Sequence, residues 1–121
     1  MTKRSLVCLS LGVLVGCMNG TGPAADVSGR WVASQLEFSL TLDLVQDGTS
    51  VRGTGTSWGF INPPVHAYTI AGTYSRPSLT LTLTRDDTVH SSVTGIVRDA
   101  NHMLGVRTIA GFSDTLIFAR Q

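Results

Sequence analysis

The stretch Gly55-Thr56-Ser57-Trp58-Gly59 has the G-x-S-x-G spacing in which a serine hydroxyl is held out on a sharp turn for nucleophilic attack. That device works on a strand-turn-helix within a large α/β sheet, with an acid and a histidine further along the chain. No helical segment follows Ser57, which reads instead as the end of a strand beside a turn glycine. Two further groupings place carboxylates near an imidazole: Asp86-Asp87-x-x-His90 and Asp99-x-x-His102. A zinc site needs three or four ligands closing around the ion, and neither grouping supplies them. Both fall where Asp serves backbone hydrogen bonds in turns. His66 stands alone after Asn62-Pro63-Pro64-Val65, and no nucleophile, base and acid assemble around it. Catalysis, a bound metal and a cofactor are therefore not expected.

The residue with the best-defined chemistry is Cys17. Lys3 and Arg4 give a positive start, and Ser5 to Val15 is an uncharged, mostly apolar run of signal-peptide length. It is too short to span a bilayer, which takes about 20 apolar residues as a helix. Leu14-Val15-Gly16-Cys17 then resembles the lipobox of bacterial lipoproteins at all four positions. The resemblance implies that the Cys17 thiolate takes a diacylglyceryl group, that the chain is cut between Gly16 and Cys17, and that residues 1–16 are a signal peptide. It also implies a bacterial cell-envelope location facing the periplasm. In enterobacterial sorting an Asp after the cysteine retains the protein at the inner membrane, and Met18 is not Asp, so the outer membrane is expected. With Cys8 removed and Cys17 lipidated, no thiol remains for a disulfide.

Of the nine Lys and Arg residues, Lys3 and Arg4 belong to that leader, leaving seven Arg against eight acidic residues. A nearly neutral domain without any Lys/Arg run excludes nucleic acid as the expected partner, because phosphate binding needs a basic patch. Residues 17–26 are small, polar and Gly/Pro-containing, and read as the lipidated cysteine and a flexible tether. Residues 27–121 suffice for one domain.

That domain must be built of strands. Phe38-Ser-Leu-Thr-Leu-Asp-Leu alternates apolar Phe38, Leu40, Leu42 and Leu44 with Ser39, Thr41 and Asp43, and Leu79 to Arg85 alternates leucine with threonine. Threonine suits the wet face, where its branched Cβ fits the pleat and its hydroxyl meets water. Turn signals at Asp47-Gly48, Asn62-Pro63-Pro64, Arg76-Pro77, Asp86-Asp87, Asp99 to His102 and Gly111 cut the chain into eight strands, near 29–35, 37–46, 50–58, 66–75, 79–85, 89–98, 103–110 and 114–120. An eight-strand antiparallel meander hides its edges by closing as an up-and-down barrel. The alternative is a two-sheet β-sandwich. Val51-x-Gly53, Ile70-x-Gly72, Val93-x-Gly95 and Met103-x-Gly105 put glycine on the apolar face, as strong curvature requires.

Gly29-Arg30-Trp31 opens the first strand and Arg120 nearly ends the last, which resembles the calycins, the lipocalin and avidin-like barrels. The resemblance implies that Gly29, Trp31 and Arg120 seal the closed end, the guanidinium over the indole. The chain lacks the lipocalin helix and disulfide, and no ligand residue of those families carries over. The inward positions, with Tyr68 and Tyr74 among leucines and valines, form an almost wholly apolar interior. It either accepts a small hydrophobic molecule or is simply filled. Trp58, Phe60 and Ile61 lie on the longest connection, 58–65, and are expected at a ligand or partner contact or as a plug of one barrel end. The function expected is a membrane-anchored envelope lipoprotein binding a small apolar ligand, or else a structural module that contacts another envelope protein.

Overall fold

Period-two alternation becomes strand throughout the described residues, 22–59 and 65–121, of the computed structural model. The strands are β1 (Gly29–Gln35), β2 (Phe38–Asp47), β3 (Ser50–Gly59), β4 (Val65–Ser75), β5 (Ser78–Arg85), β6 (Thr88–Val97), β7 (His102–Ile109) and β8 (Phe112–Arg120). Each pairs antiparallel with the next, and β1 pairs with β8 through Trp31↔Arg120 and Val32↔Ala119, so the sheet closes into an eight-stranded up-and-down barrel. Closure leaves no edge strand to template aggregation. The sandwich alternative is excluded by that closing pair.

Leu40, Leu42 and Leu44 of β2, Leu79, Leu81 and Leu83 of β5, Val93 of β6, and Leu116 and Phe118 of β8 all point inward and are buried. Their threonine neighbours on β5 face outward. Burying each large apolar side chain contributes roughly 1.5–3 kcal/mol, which, with no cysteine among the described residues, is the main support of the fold.

Small residues let the wall bend. A Cβ on Gly53 would strike the Asp43 carbonyl of β2, and one on Gly72 the Thr80 carbonyl of β5. Only hydrogen fits there, so neighbouring strands coil closely over one another.

The up-and-down course gives the barrel two unlike ends. At one lie the turns 48–49, 76–77 and 98–101, together with the incoming segment 22–28. At the other lie the turns 36–37, 86–87 and 110–111. The β5–β6 turn has Asp86 at φ 54° and Asp87 at φ 61°, both left-handed, the geometry whose twist suits a two-residue hairpin. These two aspartates serve the turn.

Candidate functional site

One end is sealed. The Trp31 ring is fully buried, its Nε1 donates to the Val27 carbonyl at 3.0 Å, and the Arg120 guanidinium carbon stands 4.5 Å from the ring centre. Arg120 also donates to three backbone carbonyls, those of Ala100 (2.6 Å), Ser28 (2.5 Å) and Asp26 (2.8 Å). Gly29, with φ at 126°, passes so close that a Cβ would lie 3.3 Å from the guanidinium. Tyr74 belongs to this end as well. Its hydroxyl donates to the Ala24 carbonyl at 2.5 Å, which removes it from any contact at the other end, and burial pushes its pKa up. Residues 22–26, assigned above to a tether, therefore lie against the barrel, with Ala24 buried, because the inward polar groups of Tyr74 and Arg120 need their carbonyls.

Among the described residues the opposite end opens into a cavity of about 360 Å³ lined by Phe38, Ser57, Trp58, Gly59, His66, Tyr68, Arg85, His90, Arg107 and Ile109. The inward alternation of β2, β3, β4, β5 and β7 delivers Phe38, Ser57, His66, Tyr68, Arg85 and Arg107 there directly. His90 arrives by a different route. Between Leu83↔Ser91 and Thr84↔Val89 the β5–β6 register shifts by one residue, leaving His90 as the extra one. Such a bulge re-aims side chains. Val89, which strict alternation from Val93 and Ser91 would send inward, is 66 % exposed, while His90 turns to the cavity.

The polar groups here are interlocked. Ser57 Oγ and the Tyr68 hydroxyl share a buried hydrogen bond of 2.9 Å, which occupies the serine and gives it no base. The Tyr68 and His90 rings stand 5.1 Å apart, tilted by 42°. Arg85 donates to Nδ1 of His66 at 2.6 Å, and because arginine can only donate, the imidazole N–H of His66 sits at Nε2. Arg107 makes a two-pronged pair with Asp114 (3.1 and 2.7 Å) and lies 4.1 Å over the Phe38 ring. Among the described residues Arg85 has no ion pair, and the buried Nδ1 of His90 has no hydrogen-bond partner. Burial first, and then the positive charges of Arg85 and Arg107, hold the His90 pKa below its usual value.

The interior is apolar at depth, as the sequence suggested, with Ser57 and Ser91 the polar residues buried among those described. Its outermost layer is polar and basic, because strand ends emerging at the mouth reach water and tolerate such groups. Trp58 lies on β3, paired with Val65 of β4, rather than on the connecting loop, and is 39 % exposed at the cavity rim. Phe60 and Ile61 lie outside the described residues, as do Gly16 and Cys17. Asp99 and His102 are at the sealed end, on the outside. There Asp99 accepts from the Asn101 N–H (2.8 Å) and pairs with His102 (2.9 Å), which keeps its carboxyl below the ordinary range. No group of three His, Cys, Asp or Glu among the described residues is arranged to hold a metal ion.

Sequence reasoning overlooked Arg85, His90 and Arg107 as one group. The signal for Arg85 was present, since it continues the Leu79, Leu81, Leu83 series by one step. No family model, curated protein or solved structure matches this chain.

Proposed function

We propose that this chain is a lipid-anchored, calycin-like binding barrel of the bacterial cell envelope that takes a small molecule at its open mouth. The observation carrying this reading is the cavity itself. Apolar Phe38, Trp58 and Ile109 line it together with a few convergent polar groups, the composition typical of small-molecule sites. Deeper in the barrel, inward leucines bury one another, so the ligand sits at the mouth and not along the axis.

The anchor and the mouth fit one arrangement. The chain enters the barrel through residues 22–28 at the sealed end, and Cys17 lies only a few residues upstream. A lipid on Cys17 would hold the sealed end toward the membrane and turn the mouth away from it, toward diffusing ligand. A second reading, a module that contacts another envelope protein, draws on two exposed apolar residues of β8, Phe112 (81 % exposed) at the mouth end of the strand and Ile117 (71 %) on its outer face.

Native mass spectrometry of the full chain, extracted from membranes in a mild detergent, tests the first reading. A stoichiometric small-molecule mass that is lost on Ile109→Trp, which fills the cavity, is the expected result. A clean ligand-free mass, together with no binding from a fragment mixture, would discard it in favour of the contact module.

A further inference from the structure

We infer that the ligand taken at the mouth is a monoanion, a carboxylate carried on a flat apolar body, with the carboxylate held by Arg85 and His90 and the body laid against Phe38, Trp58 and Ile109. This inference rests on the mouth reading above and adds the chemical class.

Three observations carry it. First, the cavity's charges are unbalanced. The Arg107 guanidinium is neutralised by the two-pronged contact with Asp114, whereas Arg85 has no carboxylate partner among the described residues. Asp86 and Asp87 follow it in the turn but make no ion pair with it. One uncompensated guanidinium calls for one negative charge, and its fork of N–H groups matches a carboxylate.

Second, His90 lines the cavity, and its Nδ1 is buried with no hydrogen-bond partner among the described residues. A buried polar nitrogen is ordinarily hydrogen-bonded, and an orphan in a functional cavity points to a group that completes it. With its proton on Nδ1, a rotation of the His90 ring that brings this nitrogen to the cavity surface lets it donate to the bound carboxylate.

Third, the neighbouring polar groups are already committed elsewhere. Ser57 and Tyr68 satisfy each other, and His66 Nδ1 accepts from Arg85, fixing that guanidinium from one side. The preorganised donors that remain are cationic or neutral N–H groups, and no carboxylate lines the cavity. An ammonium ligand would find no counter-charge there.

Isothermal titration of the full chain in an uncharged detergent, with 2-naphthoate and with 2-naphthamide, separates charge from shape. These probes share the apolar body and differ in the anionic head. The wild type should bind the naphthoate about tenfold or more tightly than the amide. Arg85→Gln should erase that preference, and Arg30→Gln, which removes a positive charge from the outer wall, should keep it. His90→Phe preserves a ring beside Tyr68 but no donor, and should narrow the preference independently of how Arg85→Gln folds. Equal affinity for the two probes in the wild type, or an undiminished preference in both Arg85→Gln and His90→Phe, would overturn the anion assignment while leaving the mouth reading intact. Absence of binding by either probe would overturn both.

Discussion

Arg120 and Trp31, at opposite ends of the domain's sequence, face each other across the closing strand pair, the guanidinium carbon 4.5 Å from the indole centre. The arginine also ties down the carbonyls of Asp26, Ser28 and Ala100. One side chain therefore fastens the first strand, the incoming segment and the β6–β7 turn. Arg120→Ala should cost about 2–3 kcal/mol, from the cation–π contact and the hydrogen bonds together. For a domain of this size that is a fall of roughly 10 °C or more in Tm by thermal scan. Arg120→Lys, which keeps the charge but not the fork, should recover less than half of the loss.

Glycine substitutions should sort by what stands opposite them. In Gly72→Ala the new methyl meets the backbone of β5 at the Thr80 carbonyl, which cannot move aside without shifting the strand. A loss of about 3 kcal/mol or more is expected, at the upper end for overpacking. In Gly95→Ala the obstacle is the Met103 sulfur, 2.7 Å away on a flexible side chain, so the loss should be markedly smaller. Urea midpoints of the two variants compare them directly, and equal losses would contradict the close approach of β4 and β5.

His90 makes stability sensitive to pH on the acid side. Its pKa in the folded protein lies below the ordinary 6.5, so below about that pH the unfolded chain binds the proton more readily than the folded one. Stability is then fully present above 6.5 and declines as pH falls from there through the lower folded value. The groups facing it, Arg85, His66, Arg107 and the Tyr68 ring, all oppose or fail to stabilise the imidazolium. His90→Gln should flatten the stability profile as pH falls from about 6.5. The acid loss below pH 4, where Asp26 and Asp99 are protonated against the hydrogen bonds that lower their pKa, should remain. Chemical denaturation at stepped pH reads both windows.

The proposed lipidation at Cys17 predicts that Cys17→Ser loses palmitate labelling and accumulates as uncleaved precursor. On the same proposal Cys8→Ser should label and process normally, since Cys8 lies outside Leu14 to Cys17, the four residues that resemble a lipobox. Metabolic labelling followed by gel mobility distinguishes the variants, and labelled Cys17→Ser would refute the assignment.

The wall of this barrel was legible in the sequence because strand alternation and turn chemistry are local. Leu79, Leu81 and Leu83 must share a face at period two, Asp86-Asp87 can adopt the left-handed pair a tight hairpin needs, and eight such strands have to hide their edges. What lay at the mouth was not local. His66, Arg85, His90 and Arg107 come from four different strands and meet only after the sheet curls and β1 joins β8. Tyr68 and Tyr74 look equivalent in sequence, both inward on β4, yet that strand runs the height of the barrel and sends one to the cavity and the other to the sealed end. The inward turn of His90 depended on a one-residue register shift, which reverses a side chain's face without leaving a mark in the alternation. Local periodicity determined which residues form the wall. Closure and register decided which of them meet at the mouth, because those depend on pairings between strands far apart along the chain.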